Sequence, residues 1–156
     1  MIEVKATLRF IRHSLGNCRF GKLDKFLHAP DGRVMFLATW WDASMKYAAQ
    51  LLNRHQGAVK RIDWDPVIDG QSSEYKRYYT VGRYTRHEAF YPGDTVRVHA
   101  VIPDEISLDD FRELLTIVGR YKGMSPYRQE RDYGTFAVLT VERKQRPGRK
   151  RAPQGA

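Results

Sequence analysis

Residues 94–103 read Asp94-Thr95-Val96-Arg97-Val98-His99-Ala100-Val101-Ile102-Pro103. Val96, Val98, Ala100 and Ile102 fall on one side of an extended chain, and Arg97, His99 and Val101 on the other. That period of two is the mark of a half-buried strand, and Pro103 ends it. Ser107 follows as a good N-cap, with Asp110 three residues on in a weak capping box. Phe111, Leu114, Leu115 and Val118 then recur at i, i+3, i+4 and i+7, so a helix with one apolar face is predicted over 108–122. Gly119 and Gly123 mark its end. A polar segment runs on to Tyr133-Gly134. Phe136, Val138 and Thr140 alternate with Ala137, Leu139 and Val141 in a closing strand, 135–141. Strand, helix, glycine-bearing loop and strand are the unit on which the fold reading rests.

Outward from that unit, Ile2, Val4, Ala6, Leu8 and Phe10 alternate with Glu3, Lys5, Thr7 and Arg9, which predicts a half-buried first strand. Residues 12–33 read mostly as loop, with a turn of helix near Leu23 to Leu27. A short strand is expected at 34–38. Trp40 and Trp41 precede Asp42, read as the N-cap of a helix that buries Met45, Ala48, Ala49 and Leu52 and stops at Gly57. Residues 59–64 read as a strand, 65–74 as a loop, 75–84 as an aromatic-rich strand distorted at Gly82, and 85–94 as a connection closed by Pro92-Gly93-Asp94. Strands outnumber helices. The expected class is α+β: an antiparallel sheet with helices 43–55 and 108–122 on one face. Residues 1–142 form one domain, and 143–156 a disordered basic tail.

The chain has 156 residues and a formal net charge of +9, which points to an acidic partner. Six of its cations (Arg143, Lys144, Arg146, Arg149, Lys150 and Arg151) crowd into residues 143–156, leaving +3 on the remainder. Such a tail binds polyanions without sequence preference. Cys18 is alone, which rules out an internal disulfide and a cysteine-built metal cage. Met1-Ile2-Glu3-Val4-Lys5 does not read as a signal peptide, and no apolar run approaches about 18 residues. The expected location is the cytoplasm.

The candidate site is the loop. Arg120, Lys122, Arg128 and Arg131 alternate with Tyr121, Tyr127 and Tyr133, a mixture suited to phosphates and bases. Gly119, Gly123 and Gly134 let backbone N–H groups approach a phosphodiester. Tyr79, from the aromatic run, is a further stacking candidate. The histidines, His13, His28, His55, His87 and His99, show no metal-ligand spacing, and no metal or other cofactor is expected. His87 beside Arg86, or His28 near Lys25, offers a base and a cation for metal-independent RNA cleavage. Asp63, Asp65 and Asp69 look like a metal cluster on paper, but Pro66 interrupts them. There is no Walker loop, nucleophile elbow or dinucleotide fingerprint.

The β-α-glycine loop-β ending, with Gly119, Gly123, Gly134, Tyr133 and Phe136 in place, resembles the repeat-associated mysterious proteins (RAMP superfamily) of bacterial CRISPR systems. That resemblance, over about Val34 to Val141, implies a ferredoxin-like, RRM-related domain whose glycine-rich loop positions RNA. The layout also resembles small phage-encoded proteins with a Trp-led helix and a closing Gly-Arg-x-x-Gly loop, which would place the chain in a bacterial host cytoplasm. The expected function is non-catalytic binding of single-stranded RNA before DNA. Arg120, Lys122 and Arg128 would hold phosphates, while Tyr127 and Tyr79 stack on bases. The alternatives are a metal-independent endoribonuclease using His87 or His28, and a phage protein that binds or mimics a subunit of a host complex.

Overall fold

The computed structural model describes residues 1–20, 23–70, 77–81, 85–125 and 132–144. In chain order come β1 (Ile2–Phe10), β2 (Ser14–Leu15), β3 (Cys18–Phe20), β4 (Leu23–Lys25), β5 (Leu27–His28) and β6 (Val34–Met35). Helix α1 (Ala38–Leu52) and a 3₁₀ turn (Ala58–Arg61) follow. Next are β7 (Asp63–Trp64), β8 (Asp69–Gly70), β9 (Tyr78–Val81), β10 (Thr85–Phe90) and β11 (Thr95–Ile102). Helix α2 (Leu108–Ile117) continues into a π-helical turn (Val118–Lys122), and β12 (Phe136–Arg143) closes the described chain.

The fold is α+β, with mostly antiparallel sheets and two helices among the described residues. The main sheet runs β12-β1-β11-β7, with β8 also on β11. The alternation of the sequence fixes its two faces. Val4 lies opposite Ala100, Ala6 opposite Val98 and Leu8 opposite Val96, and all six are buried. A slip of one residue in β1 would turn Val4, Ala6 and Leu8 to solvent, so the register is strongly specified. α2 meets that face as its spacing predicts: Phe111, Leu114, Leu115 and Val118 are fully buried. Ser107 Oγ accepts the Asp110 N–H at 3.0 Å, the expected cap. In β12 the alternation breaks, because Thr7 faces Thr140 while Leu8 faces Val138. Leu139 is the extra residue of a bulge. Beyond it Val141, not Thr140, turns to the core.

A second sheet, β2-β10-β4-β3 with β9 on β10, packs on the same core through Phe26 and Phe90. Here the sequence reading needs correction. Residues 12–33 hold four short strands and no helix at 23–27. Residues 85–90 are a strand, not a connection. These strands are too short for a period of two to register, and β10 owes its place to neighbours on both sides. The Pro92-Gly93 turn does form, with Gly93 at φ 90°. Of 75–84, the strand is Tyr78–Val81; residues 71–76 and 82–84 lie outside the described residues.

The first helix also differs. It begins at Ala38, with Leu37 as N-cap, so Asp42 lies inside it and the strand expected at 34–38 is only Val34–Met35. The early start brings Trp41 inward, stacked on Trp64 at 4.2 Å. The helix ends at Asn53, left-handed at φ 54°, and not at Gly57. The strand expected at 59–64 is a 3₁₀ turn followed by β7. The loop expected at 65–74 contains β8. At the C-terminal side, Arg143 pairs with Val4, and Lys144 N–H donates to Glu3 O at 2.7 Å, so both belong to the sheet and not to a tail. The remainder of the tail, 145–156, lies outside the described residues. No described helix is long and apolar enough to cross a membrane.

Candidate nucleic-acid interface

The loop that carries the sequence signal is fixed at both ends. Met124 N–H donates to Gly134 O, and Gly134 N–H donates to His13 O, each at 2.7 Å. Ser125 Oγ accepts the Leu15 N–H at 2.7 Å and donates to Leu15 O at 3.0 Å. Ser14 Oγ donates to Met124 O. Tyr133 is buried against Leu15 and Ala89. The chain therefore enters 126–131 at Ser125 and leaves it at Asp132, both beside the end of β1. Tyr127, Arg128 and Arg131 lie outside the described residues.

Beside these anchors is a three-ring cluster. Tyr79 on β9 stacks on His13 with centroids 3.9 Å apart, and Tyr91, just past β10, meets the His13 edge at 4.7 Å. Tyr79 and Tyr91 are perpendicular at 6.3 Å. Arg77 and Arg12 flank the rings, whereas Arg86 lies with Tyr78 on the other face of β9 and β10. The Arg77 guanidinium lies 4.7 Å over Tyr91 and pairs with Asp94, which also accepts the Tyr91 N–H. Arg12 lies 5.9 Å from the Tyr133 ring, and Arg86 is 4.7 Å over Tyr78. His13, Tyr79, Tyr91 and Arg77 are half-buried, and Arg12 and Arg86 are exposed.

The predicted glycines have other work. A Cβ on Gly119 would sit 2.5 Å from Phe136 O and 2.7 Å from its ring, so this glycine allows the helix end to lie on β12. Gly123 closes the π-helical turn through its N–H to Val118 O at 2.7 Å. Gly134 is left-handed at φ 80° and touches Met124. All three are buried. Arg120 is exposed with its guanidinium 6.0 Å from the Tyr121 ring, and Lys122 Nζ lies 4.4 Å over Tyr47 of α1. These two cations pair with rings at the helix ends, not with Tyr79.

The histidines proposed as a base are not placed for it. His87 is completely buried, its Nδ1 2.6 Å from Gly16 O. His28 has both nitrogens engaged inside the protein, Nε2 at 2.7 Å from Glu88 Oε1 and Nδ1 at 2.7 Å from Gly32 O. Glu88 also accepts the Phe26 N–H at 3.0 Å, which makes the pair a structural tie inside the second sheet. Asp69 is committed to Arg33 and His99, and no group of three His, Cys, Asp or Glu among the described residues is placed to hold a metal.

No family model matches the chain, and no curated protein matches it. The site is therefore read from its own geometry. Among the described residues, the outer face of the main sheet carries Glu3, Lys5, Thr7, Arg9, Arg97, His99 and Val101, with no tyrosine, phenylalanine or tryptophan. Its one ring is the half-buried His99 imidazole, 3.3 Å from Asp69. The clustered rings are instead on the second sheet. Sequence reasoning missed Arg12, His13 and Arg77 because nothing in the spacing joins residues 12–13 to 77–91; the pairing of Ser14 with Phe90 and of Leu15 with Ala89 does. Tyr91 was visible in the aromatic run.

His13 gives a direct test of the cluster. Burial, then the nearby Arg12 and Arg77 charges, push its pKa below the ordinary 6.5. A base with a lowered folded pKa is favoured neutral by the fold. Its stabilising contribution is present above pH 6.5 and is lost as pH falls through the lower folded value. The His13 ring protons should titrate below pH 6.5 by NMR, and Arg77→Gln should move that titration upward. An unshifted titration would mean that the ring is not held among these charges.

Proposed function

We propose that the chain binds single-stranded nucleic acid, RNA before DNA, without catalysis. The observation that carries this reading is the His13–Tyr79–Tyr91 cluster, flanked by Arg12 and Arg77 at the anchors of a loop containing Tyr127, Arg128 and Arg131. Aromatic faces accept any base, and arginines hold the phosphates between them. The element order, strand-helix-strand-strand-helix-strand for β1, α1, β7 with β8, β11, α2 and β12, supports a ferredoxin-like reading. The preference for RNA rests on the resemblance to the RAMP superfamily, and so does a place in the bacterial host cytoplasm.

The test is the affinity of the full chain for labelled single-stranded oligouridylate and oligothymidylate at two salt concentrations. Tyr79→Ala with Arg12→Gln should weaken binding by about 1–3 kcal/mol, the contribution of one base–aromatic stack, with circular dichroism unchanged. Equal affinity in the variant, or no binding by the unaltered chain, would overturn the proposal.

A further inference from the structure

Glu3, Asp63 and Asp65 line an open pocket of about 290 Å³, together with His99, Val101 and Lys144. Strand register explains why these groups converge. Glu3 is opposite Val101 across β1 and β11, and Val101 is opposite Asp63 across β11 and β7. Paired residues point to the same face. Val4, Ala100 and Trp64, their neighbours along the chain, are buried in the core, so Glu3, Val101 and Asp63 point outward. The Asp63 carboxylate makes no hydrogen bond or ion pair with any described residue, its backbone alone pairing with Val101. Asp65 uses one oxygen for the Val67 N–H, at 3.0 Å.

The chain leaves the sheet at this same place. Lys144 lines the pocket, and its N–H donates to Glu3 O at 2.7 Å. The residues that follow are Gln145-Arg146-Pro147-Gly148-Arg149-Lys150-Arg151. A chain spans at most about 3.3–3.6 Å per residue, so Arg146 and Arg149 begin within about 7 and about 18 Å of Lys144. A chain of net charge +9 thus gathers three carboxylates beside the start of its most basic segment. Guanidinium groups suit such carboxylates because their planar fork donates to both oxygens. The short tether also gives the segment an effective concentration in the millimolar range.

We propose that this pocket is the docking site for the basic segment 145–156 of the same chain. The contact is intramolecular, is carried by arginine and lysine on Glu3, Asp63 and Asp65, and is independent of whether the ring cluster binds nucleic acid.

Zero-length carbodiimide coupling of the full chain, read by mass spectrometry, tests the placement. Lys150 should form an amide with Glu3, Asp63 or Asp65. Mixed isotope-labelled and unlabelled protein should show the link within one chain. The link should disappear in 1 M salt, where the screening length is about 3 Å. Coupling of Lys150 only to other carboxylates, only between chains, or to none would overturn the proposal. A second measurement is tryptic cleavage after Arg149 and Lys150 in full-length Asp63→Asn/Asp65→Asn, whose new amide still offers an oxygen to Val67 N–H. Cleavage should quicken about fivefold, the change expected from losing exposed ion pairs. An unchanged rate would also overturn it.

Discussion

Trp41→Ala should remove about 3–5 kcal/mol of folding stability, the usual cost of truncating a buried tryptophan. Against a margin of about 5–15 kcal/mol, that is the difference between a folded and a barely folded chain. Trp41 is fully buried, and its ring lies parallel to Trp64 at 4.2 Å and 6°. Trp64 in turn meets Phe111 at 5.7 Å. The stack therefore joins α1 to β7 and α2, and its removal opens a cavity that three elements share. Neither indole N–H has a hydrogen-bond partner among the described residues. Trp41→Phe deletes one such buried donor along with part of the area, so it should cost much less than Trp41→Ala. Urea denaturation measures both. A loss below about 1 kcal/mol in Trp41→Ala would mean the site collapses around the missing ring, and that the stack is not what holds the two helices together.

That tryptophan also shows where sequence reading reached its limit. The apolar face of α1 was legible from Met45, Ala48 and Ala49. Its first turn was not, because Asp42 is a better N-cap by chemistry than Leu37, and burial of Trp41 outweighed the cap. The long strands β1 and β11 and helix α2 were legible because each repeats its period several times. The second sheet was not, since two- and three-residue strands are held by pairings that cross the sequence, such as Leu23 beside Arg86. The same limit applies to the site. Tyr79 and the loop were legible from composition only as candidates. His13 was not, because its place depends on β1 ending beside a turn more than a hundred residues away. Gly119, Gly123 and Gly134, expected to approach a phosphodiester, each lie against the protein's own chain.

Gly134→Ala separates those two roles of glycine, and it should be the most damaging change in the loop. The residue sits at φ 80°, where a Cβ costs about 1–2 kcal/mol. That Cβ would also lie 2.6–2.7 Å from the Met124 backbone and the Ser125 Cβ. These atoms are not the free end of a flexible chain, so relieving the contact costs a further 1–3 kcal/mol or so. The total is about 2–5 kcal/mol. It falls where Gly134 receives the Met124 N–H and donates to His13 O, the two bonds that hold the loop against the ring cluster. The expected result is a large drop in melting temperature, with loss of the low His13 titration as the cluster loosens. Tyr79→Ala should do the reverse, weakening nucleic-acid binding while leaving most of the stability in place. If Gly134→Ala instead left the melting temperature unchanged and abolished binding alone, the glycine would be a ligand contact after all. The close approach to Met124 would then have been relieved at no cost, which backbone packed on backbone does not allow.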